Sequence, residues 1–483
     1  MKSLALVGAG CLWLLTTGCA VNSATSSSGA ADQGAPATKI TSALGWGVKP
    51  LLPAPQPQTL PKVKPAKAMG WPQGQSPTPA EGFKVSRFAV GLDHPRWLLV
   101  LPNGDVLVAE SDAPDKGSAR GGIMGWIAKR VMRYAGSGLP SVNRISLLRD
   151  VDGDGVAELK VAFIENLNSP FGMALHEDVL LVANTDAVLA FDYVEGSTRI
   201  DTPGRVVLAL PAQAPNSHWT KNLLLDAQLN RLFVAVGSNS NIGELGPMQE
   251  VGRAAIWAVD LATFDAKIYA RGLRNPVGMA LHPKTGALWT VVNERDQLGD
   301  DLVPDYLAEV AQGDDYGWPT RYWGVLRDPR VPADWSEAPG SGNDLAVMMR
   351  PQDGARKPWV RIPAYALGAH TASLGLAFYA NEAMPAFQSG AIIGQHGSWN
   401  REPKSGYQVI FVPFDKSGQP VGAALPILTG FLDDKGRAMG RPVGVVVDQK
   451  ADILVADDVG GMVWRVSPSS RIPVTHTSAL IQR

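Results

Sequence analysis

Six times along this chain a polar residue precedes a short apolar strand, a turn and a second strand. The copies are HPRWLLVLPNGDVLVAE from His94, SPFGMALHEDVLLVAN from Ser169, HWTKNLLLDAQLNRLFVAVG from His218, RNPVGMALHPKTGALWTVVNE from Arg274, HTASLGLAFYANEAMPAF from His370 and RPVGVVVDQKADILVADD from Arg441. Units of roughly 50 to 95 residues, each with a two-strand core, predict an all-β chain folded as a six-bladed β-propeller with long inter-blade loops. In such a ring the loop entering each innermost strand sits at one end of the central channel. The starting residues therefore converge from six blades as three His, two Arg and, at Asn168-Ser169, an Asn. That set suits an anionic ligand together with a general base.

The rest of the composition agrees with one large β domain. A hydrophobic content of 45% supports a sizeable core, and 51 Gly with 37 Pro suit many tight turns between short strands. A net charge of −1, from 44 basic and 45 acidic residues, argues against nucleic acid or an anionic membrane surface as the main partner.

The first residues have the pattern of an export signal. Lys2 supplies the positive region, Leu4 to Leu15 the apolar region, and Thr16-Thr17-Gly18-Cys19 resembles a bacterial lipobox. Residues 1–19 are thus predicted to be a lipoprotein-type signal peptide, with an ordinary secretory signal cleaved near Ala20 as the alternative. The expected location is periplasmic, on a lipid anchor. Cys11 lies in the signal and Cys19 would carry the lipid, so the mature domain has no disulfide. Residues 20–80, first Ser/Ala/Gly-rich and then Pro-rich, are expected to be a flexible tether. Residues 81–470 are expected to form the propeller and 471–483 a C-terminal tail. The alternating FKVSRFAV from Phe83 is predicted to pair with the last blade and close the ring, leaving no open edge. The longest excursion, about residues 296–368, carries Tyr306, Tyr316, Trp318, Tyr322 and Trp323 and is expected to be an ordered loop over the site mouth.

Two acidic segments invite a cation. DVDGDGVAE, Asp150 to Glu158, matches the front half of an EF-hand loop through Asp150, Asp152 and Asp154, with Glu158 at position nine; position twelve is Val161 instead of a bidentate Glu. It is a candidate structural Ca²⁺ site, or a solvated Asp-Gly hairpin. NERDQLGDDLVPDY, from Asn293 to Tyr306, follows the fourth repeat and is either a cation loop at the channel mouth or a solvated charge run.

For chemistry the candidate base is His218, which Trp219 follows as an aromatic wall; an imidazole, with an ordinary pKa of about 6.5, accepts a proton near neutral pH. His370 belongs to the same ring, and His396 in GQHGSWNRE adds a further channel candidate with Arg401 nearby. Arg274 and Arg441 offer planar forks for carboxylates, or structural ion pairs. His176 and His282 follow their strands and suit turns.

From Phe83 to about Ser467 the sequence resembles the sorbosone dehydrogenase family, relatives of the soluble quinoprotein glucose and aldose sugar dehydrogenases. The resemblance rests on GLRNPVGMALHP, VVNERDQLGDDLVPDYL, GDDYGWP, LGAHTASLGLAFY, GQHGSWNREPKSGYQV and GRPVGVVVD. It implies a six-bladed propeller using pyrroloquinoline quinone (PQQ) and Ca²⁺. It implies His218 as the base that takes the substrate hydroxyl proton while hydride passes to the quinone, and Arg274, Asn275, Arg441 and Asn168 as PQQ contacts. It also implies that backbone carbonyls near Glu294 and Arg295 contribute to a cofactor-side calcium. The sequence departs from that pattern at Ser217 before the base, at Gly237-Ser238 for Gly-Asp, at Glu294-Arg295 for Gly-Pro, and where a Lys is expected, with His396 or Arg401 nearest.

The expectation is a dehydrogenase acting on an aldose or a sugar-derived aldehyde such as sorbosone. Without a CxxCH haem motif, electrons leave to a separate quinone or cytochrome. No GxGxxG follows a strand, so a nicotinamide enzyme fits poorly. The competing readings are a calcium-dependent propeller lactonase and a non-catalytic propeller that binds a glycan or a protein.

Overall fold

In a computed structural model of the chain, residues 44–469 are described, apart from 61, 115–121, 333–334, 336–359 and 382–383. The signal peptide, the first half of the expected tether and the tail from 471 lie outside the described residues. Among the described residues no helix is long and apolar enough to cross a membrane.

Six antiparallel sheets make the blades. Their innermost strands are Pro95–Val100, Met173–His176, Lys221–Asp226, Pro276–Leu281, Ser373–Tyr379 and Pro442–Val447, one from each repeat. Each touches the innermost strands of both neighbours, so the ring is closed. Four repeats carry a glycine where adjacent inner strands meet. A Cβ on Gly172, Gly278, Gly375 or Gly444 would fall under 3.0 Å from the backbone of the next blade, which only a residue without a side chain tolerates. In the third blade Asn222 uses the same contact differently, donating its amide to the Val277 oxygen at 2.7 Å.

The predicted closing strand forms as expected. Phe83–Val90 pairs antiparallel with Met462–Pro468 as the outer strand of the last blade. Closure by the two ends of the domain ties its first strand to its last and removes an exposed edge.

Two expectations are corrected. Residues 44–79 are not a free tether: Trp46–Gly47 pairs with the edge of the fourth blade and Thr78–Pro79 with the edge of the fifth. Trp71 lies between them, donating to Asp457 at 2.7 Å and packing edge-on against Phe431 and Trp464. Proline content predicts an extended backbone but is silent on what that backbone lies against. The span 296–368 is not one loop either, because it contains Pro304–Val310 and Tyr365–Ala369, the third and fourth strands of the fourth blade. Tyr306, Tyr316, Trp318 and Tyr322 are buried.

Candidate active site

Because each blade is a meander, the loops into first strands and the loops between second and third strands emerge at the same end. That end is the mouth of the channel. Three residues that begin repeats, His94, Ser169 and His370, hold left-handed backbones with φ of 49°, 45° and 59°, a conformation that persists only where neighbouring structure enforces it.

His218 stands just before the third inner strand. Its Nδ1 lies 2.8 Å from the Ser238 carbonyl oxygen and 3.0 Å from the Ser238 hydroxyl. A carbonyl only accepts, so in the neutral ring Nδ1 carries the hydrogen and Nε2 the lone pair. Ser238 therefore orients the ring at the place where Gly-Asp was expected. Beneath it Lys221, fully buried, donates to the His218 and Trp219 carbonyls at 3.3 Å each. Burial, with Arg253 adding to it, pushes the Lys221 ammonium well below its ordinary range. Gly237 completes the close packing: a Cβ there would meet the Asn275 Oδ1 and the His218 Cβ.

Around the fourth and fifth blades a second group forms. Arg274 donates from Nε to the Asn241 oxygen at 3.1 Å, from Nη1 to the Glu294 oxygen at 2.7 Å and from Nη2 to the Asn241 Oδ1 at 2.9 Å. Its fork is committed to the protein. Asp296 lies 3.7 Å from Arg274, 3.3 Å from the His370 Nδ1 and 2.5 Å from the Asn400 amide. Burial opposes its charge, yet the His370 hydrogen bond and the Arg274 cation hold its carboxyl well below the usual carboxylate range. His370 gives its other nitrogen to the Gly299 oxygen at 2.9 Å; burial works against its protonation, and Asp296 overcomes this and raises it.

The third group surrounds Arg441, which is fully buried. Its Nη2 donates to the Tyr407 hydroxyl at 3.1 Å, and its guanidinium lies 5.3 Å from the Trp399 ring and 5.1 Å from the Tyr407 ring. Beside it opens a cavity of about 110 Å³, whose walls include His94, Trp219, His396, Trp399 and Asp458. His396 Nε2 lies 2.8 Å from Asp458, yet burial, with Arg441 and Arg96 acting in the same direction, pushes its imidazole down to about 4. Arg96 pairs with the same Asp458.

Among the described residues, buried polar atoms of this arrangement without a protein partner include Nε and Nη1 of Arg441, Nε of Arg96, Oδ1 of Asp458 and Oδ1 of Asn275. A buried polar group is costly without a partner, by about 1–3 kcal/mol, so these mark where a polar ligand belongs.

The structure thus gathers His218, Asn275, His370, His396 and Arg441 at the mouth, and places several other candidates differently. Asn168 is exposed and bonds Asp186 at 2.9 Å. Arg401 ties Asp301 at 2.8 Å. Arg274 clamps the 293–296 loop where a PQQ contact was expected. At Glu294 and Arg295, where backbone carbonyls were expected to face a calcium, the Glu294 carbonyl receives Arg274, while the Arg295 side chain donates to Glu294 at 2.9 Å and to the Pro319 and Arg321 oxygens at 2.6 Å each. Asp150, Asp152, Asp154 and Glu158 do come together, with ligand oxygens within 4.8 Å of one another. They occupy the hairpin between the third and fourth strands of the first blade, at the opposite end from the mouth. Sequence reasoning missed Asn241, Asp296, Trp399, Asn400 and Asp458; Asp296 sat in a charge run that looked solvated.

Residues 141–469 match the family model described as TrAA12-like. The chain belongs to the TrAA12-like family. This TrAA12-like chain is 24% identical over 438 residues to a pyrroloquinoline quinone-dependent sugar dehydrogenase of Hypocrea jecorina, covering 82% of itself and 90% of that relative. It is 23% identical over 442 residues to a pyrroloquinoline quinone-dependent pyranose dehydrogenase of Coprinopsis cinerea, covering 81% of itself and 54%, about half, of that relative. Among solved structures, a Trichoderma reesei enzyme of carbohydrate-active family AA12 superposes with a TM-score of 0.60 at 22% identity, over 85% of this chain and 100% of that one. The PQQ domain of the C. cinerea pyranose dehydrogenase, in its holo form, gives a TM-score of 0.58 at 20% identity, over 82% of this chain and 98% of that one. The TrAA12-like propeller fold is common to all of them.

Proposed function

We propose that this protein is a PQQ-dependent dehydrogenase that oxidises an aldose or a sugar-derived aldehyde, sorbosone-like in type. The observation that carries the reading is His218, oriented by Ser238 with its lone pair on Nε2, at the same mouth as the unpartnered atoms of Asn275 and Arg441. A planar polycarboxylate quinone fits them, because Arg441 keeps unpartnered donors for anionic oxygens and Asn275 one acceptor. When bound, PQQ supplies the two-electron oxidant that accepts hydride. The protein does the rest. His218 takes the hydroxyl proton at Nε2, Ser238 and Lys221 hold the ring and its backbone, and Trp219 and Trp399 exclude water from the cavity beside Arg441.

The wider reading includes three parts that rest on sequence. Ca²⁺ binds at Asp150, Asp152, Asp154 and Glu158 as a structural ion. The chain is exported and anchored by lipid at Cys19, and electrons pass to a separate quinone or cytochrome. The test is reconstitution of the purified protein with PQQ and Ca²⁺ and a screen of aldoses and aldehydes with a dye acceptor. Oxidation that requires PQQ supports the reading, and none with any aldose or aldehyde overturns it.

A further inference from the structure

The Pro-rich segment after Trp46 crosses the channel mouth on specific contacts. Gln56 and Gln58 donate their backbone amides to the Leu298 and Gln297 oxygens at 2.9 and 3.1 Å, and the Lys64 amide donates to the Trp399 oxygen at 2.6 Å. The Lys62 ammonium lies 2.5 Å from Asp300. Further along, Ala68 bonds Tyr134 and Met69 bonds Ala438. With both ends paired to blade edges, the segment is held along its length. Proline lowers the entropy lost on holding an extended chain in place and removes amides that would otherwise need partners.

This segment also lines a partly open cavity of about 230 Å³. Gln58, Lys62 and Val63 form one side, and Asn241, Asp296 and His370 the other, with Trp399 separating it from the cavity beside Arg441. That volume lies below the roughly 300–1,000 Å³ of pockets for drug-sized ligands. Both sides carry paired charges, Lys62 with Asp300 on one and Asp296 with Arg274 and His370 on the other.

We propose that residues 56–60 and 62–64 are a fixed outer wall of the substrate site, which limits this enzyme to single small sugars or aldehydes and shuts out oligosaccharide chains. The size limit rests on the dehydrogenase reading above; the wall itself does not. An open propeller mouth would admit the reducing end of a long chain, whereas a wall bonded at Gln56 and Lys64 narrows the room for a second sugar unit.

The test uses the full chain in two forms, Lys62→Ala with Val63→Ala, and a version with residues 57–63 replaced by Gly and Ser at equal length. Each is loaded with PQQ and compared with wild type on glucose and on a disaccharide, maltose. The expected result is a rise of about tenfold or more in the maltose-to-glucose ratio of kcat/KM, with kcat on glucose within about threefold. A second measurement needs no cofactor. Asn400→Cys, placed in the cavity wall, is labelled with a bulky maleimide and read at its own peptide by mass spectrometry, alone and combined with the replaced segment. Slow labelling that speeds about tenfold in the combined variant supports the wall. Equal labelling in both backgrounds, or an unchanged substrate ratio in both wall variants, overturns it. If wild type oxidises no sugar while residue 400 stays protected, the dehydrogenase reading has failed and the size limit falls with it, while the wall stands.

Discussion

The Nδ1 of His218 lies 2.8 Å from the backbone oxygen of Ser238, so the orientation of the candidate base depends on main chain more than on a partner carboxylate. That arrangement fixes a tautomer through a neutral acceptor. The loop carrying Ser238 thereby becomes part of the proton-transfer apparatus, and what holds that loop matters to the rate.

His218→Gln should lower kcat by roughly 10²–10⁴-fold, because the hydroxyl proton loses its acceptor. PQQ affinity, followed by titrating the apoprotein, should change little. Ser238→Ala should cost less than about tenfold, since the carbonyl that accepts from Nδ1 belongs to the backbone and survives.

Arg441→Ala should raise the PQQ concentration needed for half-saturation by roughly 10–100-fold, the loss expected for a charge-assisted hydrogen bond, while kcat at saturation stays near wild type. Arg274→Ala should behave differently. It removes the donor to the Asn241 and Glu294 carbonyls, so it should lower the melting temperature of the apoprotein as well.

Glu250 predicts a pH dependence of stability. It is buried, accepts the Asn239 amide at 2.6 Å and the Ser240 hydroxyl, and burial pushes its carboxyl up to about 7. Its folded pKa exceeds its unfolded one, so the fold favours the protonated form. This contribution is fully present below about pH 4.5 and is lost as pH rises through about 7, by on the order of 3 kcal/mol. Glu250→Gln should therefore flatten the fall in melting temperature between pH 5 and pH 8, with the variant gaining on wild type at pH 8. Parallel curves for the two proteins would refute the assignment.

Chelation should lower the melting temperature if the Asp150–Glu158 hairpin holds Ca²⁺, since a ligand bound only to the native state stabilises it by mass action. Asp152→Ala should remove that response while leaving turnover intact, because the hairpin is at the far end of the blades. A wild-type melting point indifferent to both chelator and Ca²⁺ excludes the site.

Cys19→Ala should move the protein from the membrane fraction to the soluble periplasm with its activity unchanged. Equal membrane retention in the variant excludes a lipid anchor at Cys19.

Strand content, the number of blades and the identity of the closing strand were set by local pattern: alternation over five to eight residues, turns between strands, and a glycine where inner strands touch at Gly172, Gly278, Gly375 and Gly444. These signals span a few residues and read the same in any context. The residues that begin repeats could also be placed at the mouth, because each inner strand must start there. Which of them would face a ligand could not be read. Arg274 and Arg441 begin equivalent repeats, yet one fork is consumed by the Asn241 and Glu294 carbonyls and the other keeps two donors unpartnered. That difference depends on loops from other blades, which only ring closure brings together. Trp71 and Asp457 are 386 positions apart, and Lys62 and Asp300 are 238 apart. No periodicity carries such pairings, so the N-terminal segment looked like a tether in the sequence and became a wall only when the propeller supplied a surface for its amides to bond.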